Sequence, residues 1–253
     1  MLAVDSLHPT THSYTIMPLL AMDGSIKSPM LVVLQERNGS LGPIVSGALP
    51  NTPNLVVTAS KSGNVTKPII RQFAEEVLSR NLDREGKCVL LIDQCRVQSD
   101  NDLFKLTDKT VHIERFPDKS TPLIQPLDVY GFRQWKLMAK NFAEHCLIYD
   151  LDIDVHSRNN VLILQSLILN QLQSPKFVPM WCYSWYAATF PVQRVEFNSV
   201  NQLCYSFKQT FCDEKEMDED CPRVPYHCCS YCDKILCAHH FFSCYHYHHL
   251  YQM

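Results

Sequence analysis

A short apolar run in the middle of the chain, Cys88–Ile92, constrains the fold more than any other feature of the sequence. The run ends in Asp93, and its five residues suit a strand better than a helix. Because the run is continuously apolar, it predicts a strand that is buried on both faces. A helical pattern that opens at Thr66 and Pro68 precedes the run, and a second short strand, Val111–Phe116, follows it. Strands that alternate with helices in this way are typical of an α/β fold.

The segments on either side extend this pattern. Two apolar stretches, Ser13–Met22 and Pro29–Gln35, are separated by Asp23-Gly24-Ser25, and Asp-Gly between β-prone runs predicts a hairpin. A long helix is expected to begin at Pro126, and a second helical segment covers residues 160–173. The expected fold class is therefore α/β, with a mixed sheet and flanking helices.

Three regions are expected along the chain. Residues 1–145 carry the sheet, residues 146–200 form a helical extension, and residues 201–253 form a small tail rich in cysteine and histidine. The 253 residues are 46% hydrophobic and 19% charged, which is enough apolar material for a sizeable core and excludes a disordered chain.

Several classes of protein are excluded by what the sequence lacks. No apolar run approaches the ~20 residues that span a bilayer, and the first residues lack the basic and apolar regions of a secretory signal. We therefore expect a nuclear or cytoplasmic protein whose cysteines are mostly reduced. The chain has only 7 glycines, with neither a GxGxxG motif nor a phosphate-binding P-loop.

The distribution of charge argues against a strong electrostatic attraction to nucleic acid. Residues 1–200 carry 19 basic and 19 acidic side chains, whereas residues 201–253 carry 4 basic and 7 acidic ones. No basic arm or cluster is present, so any contact with DNA must come from a local site.

Two carboxylates are candidates for a metal site. Asp93 ends the apolar strand, and Asp128 lies in the first turn of the helix that begins at Pro126, with 34 residues between the two. A strand end and a helix start can point into one cleft, and their oxygens suit Mg²⁺. Two such ions could activate water for phosphodiester hydrolysis. Taken alone, an Asp after a strand is more often a turn or cap residue than a metal ligand.

The amino-acid sequence of these segments resembles that of the DDE superfamily endonuclease domain of pogo-like transposases, which are relatives of the mariner class. The most specific segments are IDQC, which contains Asp93, and QPLD, which ends at Asp128. The resemblance also includes the segments THSYTIMPLL and ASKSGNVTKPII and covers nearly the whole chain, about residues 10–246. The resemblance implies an RNase H-like fold and DNA strand cleavage and joining that depend on Mg²⁺ or Mn²⁺. It also implies that Asp93 is the second catalytic carboxylate and Asp128 the third.

The chain departs from that family pattern at its start. In the family, a strand before the segment THSYTIMP carries the first carboxylate, and this chain begins about ten residues before that segment. Asp5 is the only acid upstream, and its flanking residues do not match; Asp23 lies at the far end of the hairpin. The helix-turn-helix region of the family is also missing. We therefore expect an incomplete sheet with unpaired neighbouring strands and an incomplete catalytic site.

The tail carries a second candidate site. Residues 221–249 hold six cysteines and six histidines, and Cys229-x2-Cys232 and Cys237-x2-His240 have the pair spacing of zinc ligands. The segment HCCSYCDKILCAHHFF also resembles the C-terminal Cys/His motif of some insect pogo-like elements. Sites filled entirely by protein ligands are structural rather than catalytic. The candidate ligands are Cys212, Cys221, Cys229, Cys232, Cys237, His240, His246 and His248, with His249 as an alternative histidine.

Three functions remain open at this point. The first is a transposon-derived endonuclease-like domain that binds DNA weakly and does not cleave it alone. The second is an active metal-dependent endonuclease or transposase. The third is a zinc-stabilised protein-interaction module on an inactive catalytic domain. Asp93 and Asp128 favour the first two, and the neutral charge is compatible with the third. Trp181, Tyr183 and Trp185 could stack on bases, but core packing is the commoner role of such residues.

Overall fold

The computed structural model describes residues 13–82, 86–93, 97, 99–107, 109–117, 119–217 and 219–248. These residues form a mixed α/β structure with a small mixed sheet and several helices, which confirms the expected fold class. Asp5, Cys95 and His249 lie outside the described residues. None of the described helices has both the length and the apolar content that crossing a membrane requires.

The first sheet has three strands: β1 (Tyr14–Met17), β2 (Met30–Gln35) and β3 (Leu55–Ser60). Strand β2 is central, antiparallel to β1 and parallel to β3. The first five residues of β2 are buried because the sheet is covered on both faces.

The turn between β1 and β2 is the predicted hairpin. Gly24 has a φ of +84°, a conformation that glycine adopts without steric cost, and a bridge joins Leu20 to Ile26. A Cβ atom on Gly24 would lie 2.6 Å from both the Cys182 sulfur and the Val178 carbonyl oxygen. Glycine is therefore required here by the close approach of the chain as well as by the turn.

The second sheet has two parallel strands, β4 (Lys87–Ile92) and β5 (Thr110–Arg115). The predicted strand before Asp93 is confirmed, but its burial on both faces was wrong. Val89 is 60% exposed, whereas Leu90 and Ile92 are buried in a small core. The physical reason is that, among the strands that the structure describes, β4 pairs only with β5, and the face that carries Val89 is uncovered, so its apolar residues alternate between core and surface.

Helix α2 (Lys67–Phe73) links the two sheets, because its buried residues belong to the same small core as alternate residues of β2 and β4. The helix continues through a π-helical turn, Ala74–Leu78, into a short 3-10 turn. Pro68 in the first turn is where the sequence placed the helix start.

A cleft of about 670 Å³ separates the exposed edges of β1 and β4. The two strands belong to different sheets, and no described strand lies between them. Antiparallel alternation directs the backbone N–H and C=O of Ile16 away from β2, toward this cleft. The lining from β1, β4 and α2 is apolar and includes Ile16, Met17, Ile70, Phe73 and Leu91, and Leu19 and Leu20 extend it beyond β1.

The remaining helices are, in chain order, α1 (Pro43–Gly47), α3 (Thr121–Ile124), α4 (Phe132–Ile148), α5 (Arg158–Leu172) and α6 (Val178–Ala187). Three of them, α4, α5 and α6, share the main core with β2, whereas the short helices α1 and α3 bury no residues. The long helix that was expected to begin at Pro126 does begin there: Pro126 is helical, and a π-helical turn, Leu127–Gly131, continues directly into α4. The short helix α3 is separate and precedes it. All residues of α5 from Leu164 to Leu172 are buried, so this helix is at the centre of the main core.

The Cys/His-rich tail packs into that same core. It contains two small antiparallel pairs, β6 (Lys215–Glu216) with β7 (Glu219–Asp220), and β8 (Pro225–Cys228) with β9 (Ile235–Cys237). The ring of Phe242 lies 4.6 Å from that of Phe142 on α4, measured between centroids. The tail and the helices of the α/β region therefore share one continuous hydrophobic core.

Candidate functional site

Asp93 lies at the carboxyl end of β4 and lines the cleft. Its Oδ1 accepts a hydrogen bond of 2.6 Å from the hydroxyl of Thr121, the first residue of α3. The short helix α3 begins here because Pro122 suits a first helical turn. The hydrogen bond joins a strand end to a helix start that are 28 residues apart in sequence.

Asp128 lies in the π-helical turn that leads into α4 and is solvent-exposed, and the preceding residue, Leu127, lines the cleft. Partial desolvation raises the pKa of Asp128, and the negative charge of Asp93 raises it further, while Lys136 acts in the opposite direction. The two carboxylates are therefore close enough to repel each other. This is the juxtaposition that the sequence predicted for the strand end and the helix start.

The oxygen atoms near this pair are of the kind that binds a hard divalent cation. Oε1 of Gln125 is buried and accepts no hydrogen bond from the described residues, and Gln125 lines the same cleft as Asp93. Two mutually repelling carboxylates and an unpartnered amide oxygen fit one Mg²⁺ or Mn²⁺ ion. The sequence analysis did not single out Gln125 or Thr121, although both lie in the TPLIQPLD segment.

A third carboxylate does not join this pair among the residues that the structure describes. Asp93 is the only acid in the described lining of the cleft. Asp23 is engaged in the hairpin, where it accepts hydrogen bonds from Ser25 and forms an ion pair with Lys27 at 4.0 Å. The cleft is also nearly free of positive charge, because Lys27 is the only cation in its described lining.

The aromatic residues after α5 are packing residues. Trp181 is 1% exposed and donates a hydrogen bond from Nε1 to the Leu172 carbonyl, and Trp185 donates to the Ala21 carbonyl. Tyr183 contacts the rings of neighbouring aromatic residues. The packing interpretation of the two tryptophans is thus confirmed.

The tail brings the eight predicted ligands together in two groups of four. In each group, the candidate ligand atoms all lie within 4.8 Å of one another. The first group, called here the three-cysteine cluster, consists of Cys212, Cys221, Cys237 and His240. The second group, called here the two-histidine cluster, consists of Cys229, Cys232, His246 and His248.

The three-cysteine cluster is buried apart from the partly exposed His240. Nδ1 of His240 lies 3.3 Å from the Cys212 sulfur and 3.4 Å from the Cys237 sulfur. Tetrahedral zinc with ligands at about 2.0–2.3 Å requires ligand atoms roughly 3.3–3.8 Å apart. Nε2 of His240 lies 3.5 Å from a carboxylate oxygen of Glu216, an arrangement that orients a metal-binding histidine.

The two-histidine cluster lies closer to the surface. The Cys232 sulfur is 3.6 Å from Nε2 of His246, which is 2.8 Å from Nε2 of His248. Cys229 is fully buried and its sulfur accepts a hydrogen bond from the side chain of Gln171 on α5. A smaller exposed group of His239, His240 and Cys244 offers only three ligands.

Charge is disfavoured in both clusters in the absence of a cation. Burial, reinforced by the neighbouring thiols of Cys212 and Cys221, raises the pKa of Cys237 to about 12. Burial, together with His248, lowers the pKa of His246 to about 4. The buried cysteine and histidine side chains of each cluster are suitable ligands for a metal ion, because the positive charge of the ion would stabilise the cysteine thiolates.

Comparison with known protein families gives one match. A family model described as DDE superfamily endonuclease matches residues 13–188, which contain both Asp93 and Asp128 but not the Cys/His tail. No curated protein and no solved structure matches the chain. The matched segment covers well over half of the chain and contains both carboxylates, so the chain belongs to the DDE superfamily of endonucleases.

Proposed function

We propose that this chain is a transposon-derived, RNase H-like endonuclease domain of the pogo-like type that contacts DNA but does not cleave it alone. The observation that carries the proposal is the pair of carboxylates, Asp93 and Asp128, beside a cleft that separates two sheet edges. In an RNase H-like sheet, a strand with the first carboxylate would occupy this position.

Asp93 and Asp128 would hold one Mg²⁺ or Mn²⁺ ion, with the amide oxygen of Gln125 as a further ligand. When bound, such an ion can stabilise charge on a phosphate oxygen. The Thr121 hydroxyl orients the Asp93 carboxylate by its hydrogen bond. Two carboxylates supply too little negative charge to hold the two ions that strand cleavage requires, which is the reason for the proposed lack of activity.

Contact with DNA is expected to be weak. The described cleft lining offers Lys27 as its only cation, and Lys136 lies near Asp128. A site with so few cations binds phosphate non-specifically, and its affinity falls with increasing salt. A nuclear location follows from this proposal.

The test of cleavage uses supercoiled plasmid incubated with the purified chain and Mg²⁺ or Mn²⁺. We expect no more nicking than with the matched variants Asp93→Asn and Asp128→Asn. Nicking that both substitutions abolish would contradict the proposal and would identify an active endonuclease.

A second candidate function is protein interaction without DNA contact. It is favoured by the apolar cleft lining and by the equal numbers of basic and acidic residues in residues 1–200. Fluorescence anisotropy with a labelled duplex distinguishes the two candidates. Weak binding at low salt that is lost at higher salt supports DNA contact, whereas no binding at low salt favours the interaction module.

We also propose that the tail binds structural zinc. The support is that eight Cys and His side chains, all of them candidates from the sequence, form two groups of four whose ligand atoms lie within 4.8 Å of one another. All four positions in each group are protein ligands, so no position is left for substrate. Metal analysis of the purified chain tests this proposal, and the absence of bound zinc would contradict it.

A further inference from the structure

The ligands of the two clusters alternate along the chain. Cys212 and Cys221 belong to the three-cysteine cluster, and the next ligand pair, Cys229 and Cys232, belongs to the two-histidine cluster. The third pair then returns to the first cluster, and the fourth pair returns to the second. Each cluster is therefore closed only when the chain has passed through the other one.

A single hairpin connects the two clusters. Cys229 directly follows β8 and exchanges backbone hydrogen bonds with the turn, donating to Lys234 and accepting from Asp233. Cys237 ends β9 at the opposite end of the hairpin, where it pairs with Pro225. A two-stranded hairpin this short is not stable by itself in water, so its geometry depends on what binds at its two ends.

The two-histidine cluster is attached to helix α5 by buried polar contacts. Asn170 forms two hydrogen bonds with the backbone of His248, one of 2.5 Å to its carbonyl and one of 3.0 Å from its N–H. Gln171 donates to the Cys229 sulfur and accepts from the Ser230 N–H at 2.8 Å. Asn170 and Gln171 are both fully buried. These hydrogen bonds exist only when the tail is ordered.

The three-cysteine cluster is linked to the same core through the residues around it. Phe241 and Phe242 directly follow His240 and are almost fully buried. Phe242 packs on Phe142 of α4, and Phe241 packs on His227 at a ring-centroid distance of 4.4 Å. Unfolding of the tail would therefore expose apolar surface of the endonuclease domain as well as its own.

From this arrangement we infer that the tail is a cross-braced unit that holds two zinc ions, and that its metal occupancy sets the stability of the endonuclease domain. The inference rests on the proposed zinc binding and is independent of DNA cleavage. Each ion closes a loop of the chain that contains ligands of the other ion. Loss of one ion therefore weakens the binding of the other. Because α5 is hydrogen-bonded to the two-histidine cluster, loss of both ions also destabilises the core of the endonuclease domain.

Adjacent residues of the same type provide matched variants for the test. Cys229 is a cluster ligand and Cys228 is in neither four-residue cluster; the same holds for His240 and His239. The full chain is loaded with zinc, and the bound metal is measured under competition with a chromophoric chelator. We expect two ions per chain in the wild type and in Cys228→Ser and His239→Gln. Cys229→Ser and His240→Gln should each weaken the binding of both ions by about tenfold or more.

Independent sites give a different result. If Cys229→Ser leaves one ion bound with wild-type affinity, the cross-braced arrangement is wrong although zinc binding stands. If the wild type binds no zinc, the zinc proposal itself is wrong, and the plasmid experiment still decides the endonuclease proposal. Cobalt substitution checks the assignment of ligands, because a site with three thiolates has stronger charge-transfer absorption than a site with two.

Tryptophan fluorescence tests the coupling to the domain without any substitution. The chain has 3 tryptophans, Trp135, Trp181 and Trp185, and all of them lie in the matched endonuclease region rather than in the tail. We expect chelation to lower the midpoint of the thermal transition that they report, and added zinc to restore it. A tryptophan transition that is unchanged after both ions are removed would overturn the coupling.

Discussion

Gln171→Met provides the sharpest test of how the tail is held on the endonuclease domain. Gln171 is fully buried on α5, and its Oε1 accepts hydrogen bonds from the N–H of Ser230 at 2.8 Å and from its hydroxyl at 2.9 Å. Nε2 of His227 lies 3.2 Å from the same oxygen. Methionine has nearly the same volume and no hydrogen-bonding oxygen, so the substitution removes the acceptor without opening a large cavity.

The expected cost follows from the groups that lose their partner. The Ser230 N–H is left buried without an acceptor, which costs about 1–3 kcal/mol. Burial lowers the pKa of His227 to about 3, so this histidine is neutral and its lost hydrogen bond costs about 1 kcal/mol. The Ser230 hydroxyl keeps the backbone carbonyl of Gln171 at 2.9 Å as an acceptor. The total destabilisation is therefore about 2–4 kcal/mol, or roughly 5–15 °C in the melting temperature.

Gln173→Met is the matched control on the same helix end. The Gln173 amide makes one hydrogen bond, of 3.2 Å to the Ile26 carbonyl, and its Oε1 is buried without a partner. Its replacement should cost at most about 1 kcal/mol. Urea unfolding of zinc-loaded protein, followed by circular dichroism and tryptophan fluorescence, measures both variants. Equal stability of Gln171→Met and Gln173→Met would refute the argument that these polar contacts hold the tail on α5.

Three further predictions concern other parts of the molecule. Gly24→Ala should lower the unfolding free energy by about 2–4 kcal/mol in thermal melts, because φ is +84° and the new Cβ would meet a carbonyl oxygen of α6 at 2.6 Å. Gly47→Ala, which has open space, should be neutral or stabilising by up to about 1 kcal/mol. Burial lowers the pKa of His145 in the folded chain, so the unfolded chain binds more protons at acidic pH. The free energy of unfolding therefore decreases as the pH is lowered below about 6.5. His145→Phe should reduce this fall in denaturant titrations, and an unchanged slope would contradict it. Asp93→Asn and Asp128→Asn should each abolish the binding of one Mn²⁺ ion measured by electron paramagnetic resonance, and binding that survives both would contradict the proposed metal site.

Local sequence patterns were sufficient to predict the strands, turn and helix start that surround the pair of carboxylates. The apolar run before Asp93 predicted β4, and Asp23-Gly24 predicted the hairpin, because turn chemistry and strand propensity act over a few residues. Pro68 marked the start of α2 for the same reason. Two ligand pairs, Cys229 with Cys232 and Cys237 with His240, were also predicted from their spacing, since short spacing keeps two ligands close in any compact tail. The other four ligands were candidates from composition alone.

Only the tertiary structure decided how these pieces combine. The exposure of Val89 depends on which strands neighbour β4, and no local pattern carries that information. The sequence paired Asp93 with Asp128, but the raised pKa of Asp128 depends on its desolvation and on the charge of Asp93 in the folded chain. The alternation of the clusters depends on which distant cysteines and histidines come together, and the hydrogen bond from Gln171 to Cys229 joins residues 58 positions apart. Such contacts depend on the whole fold, because each of them forms only after the intervening chain has been ordered by its own packing.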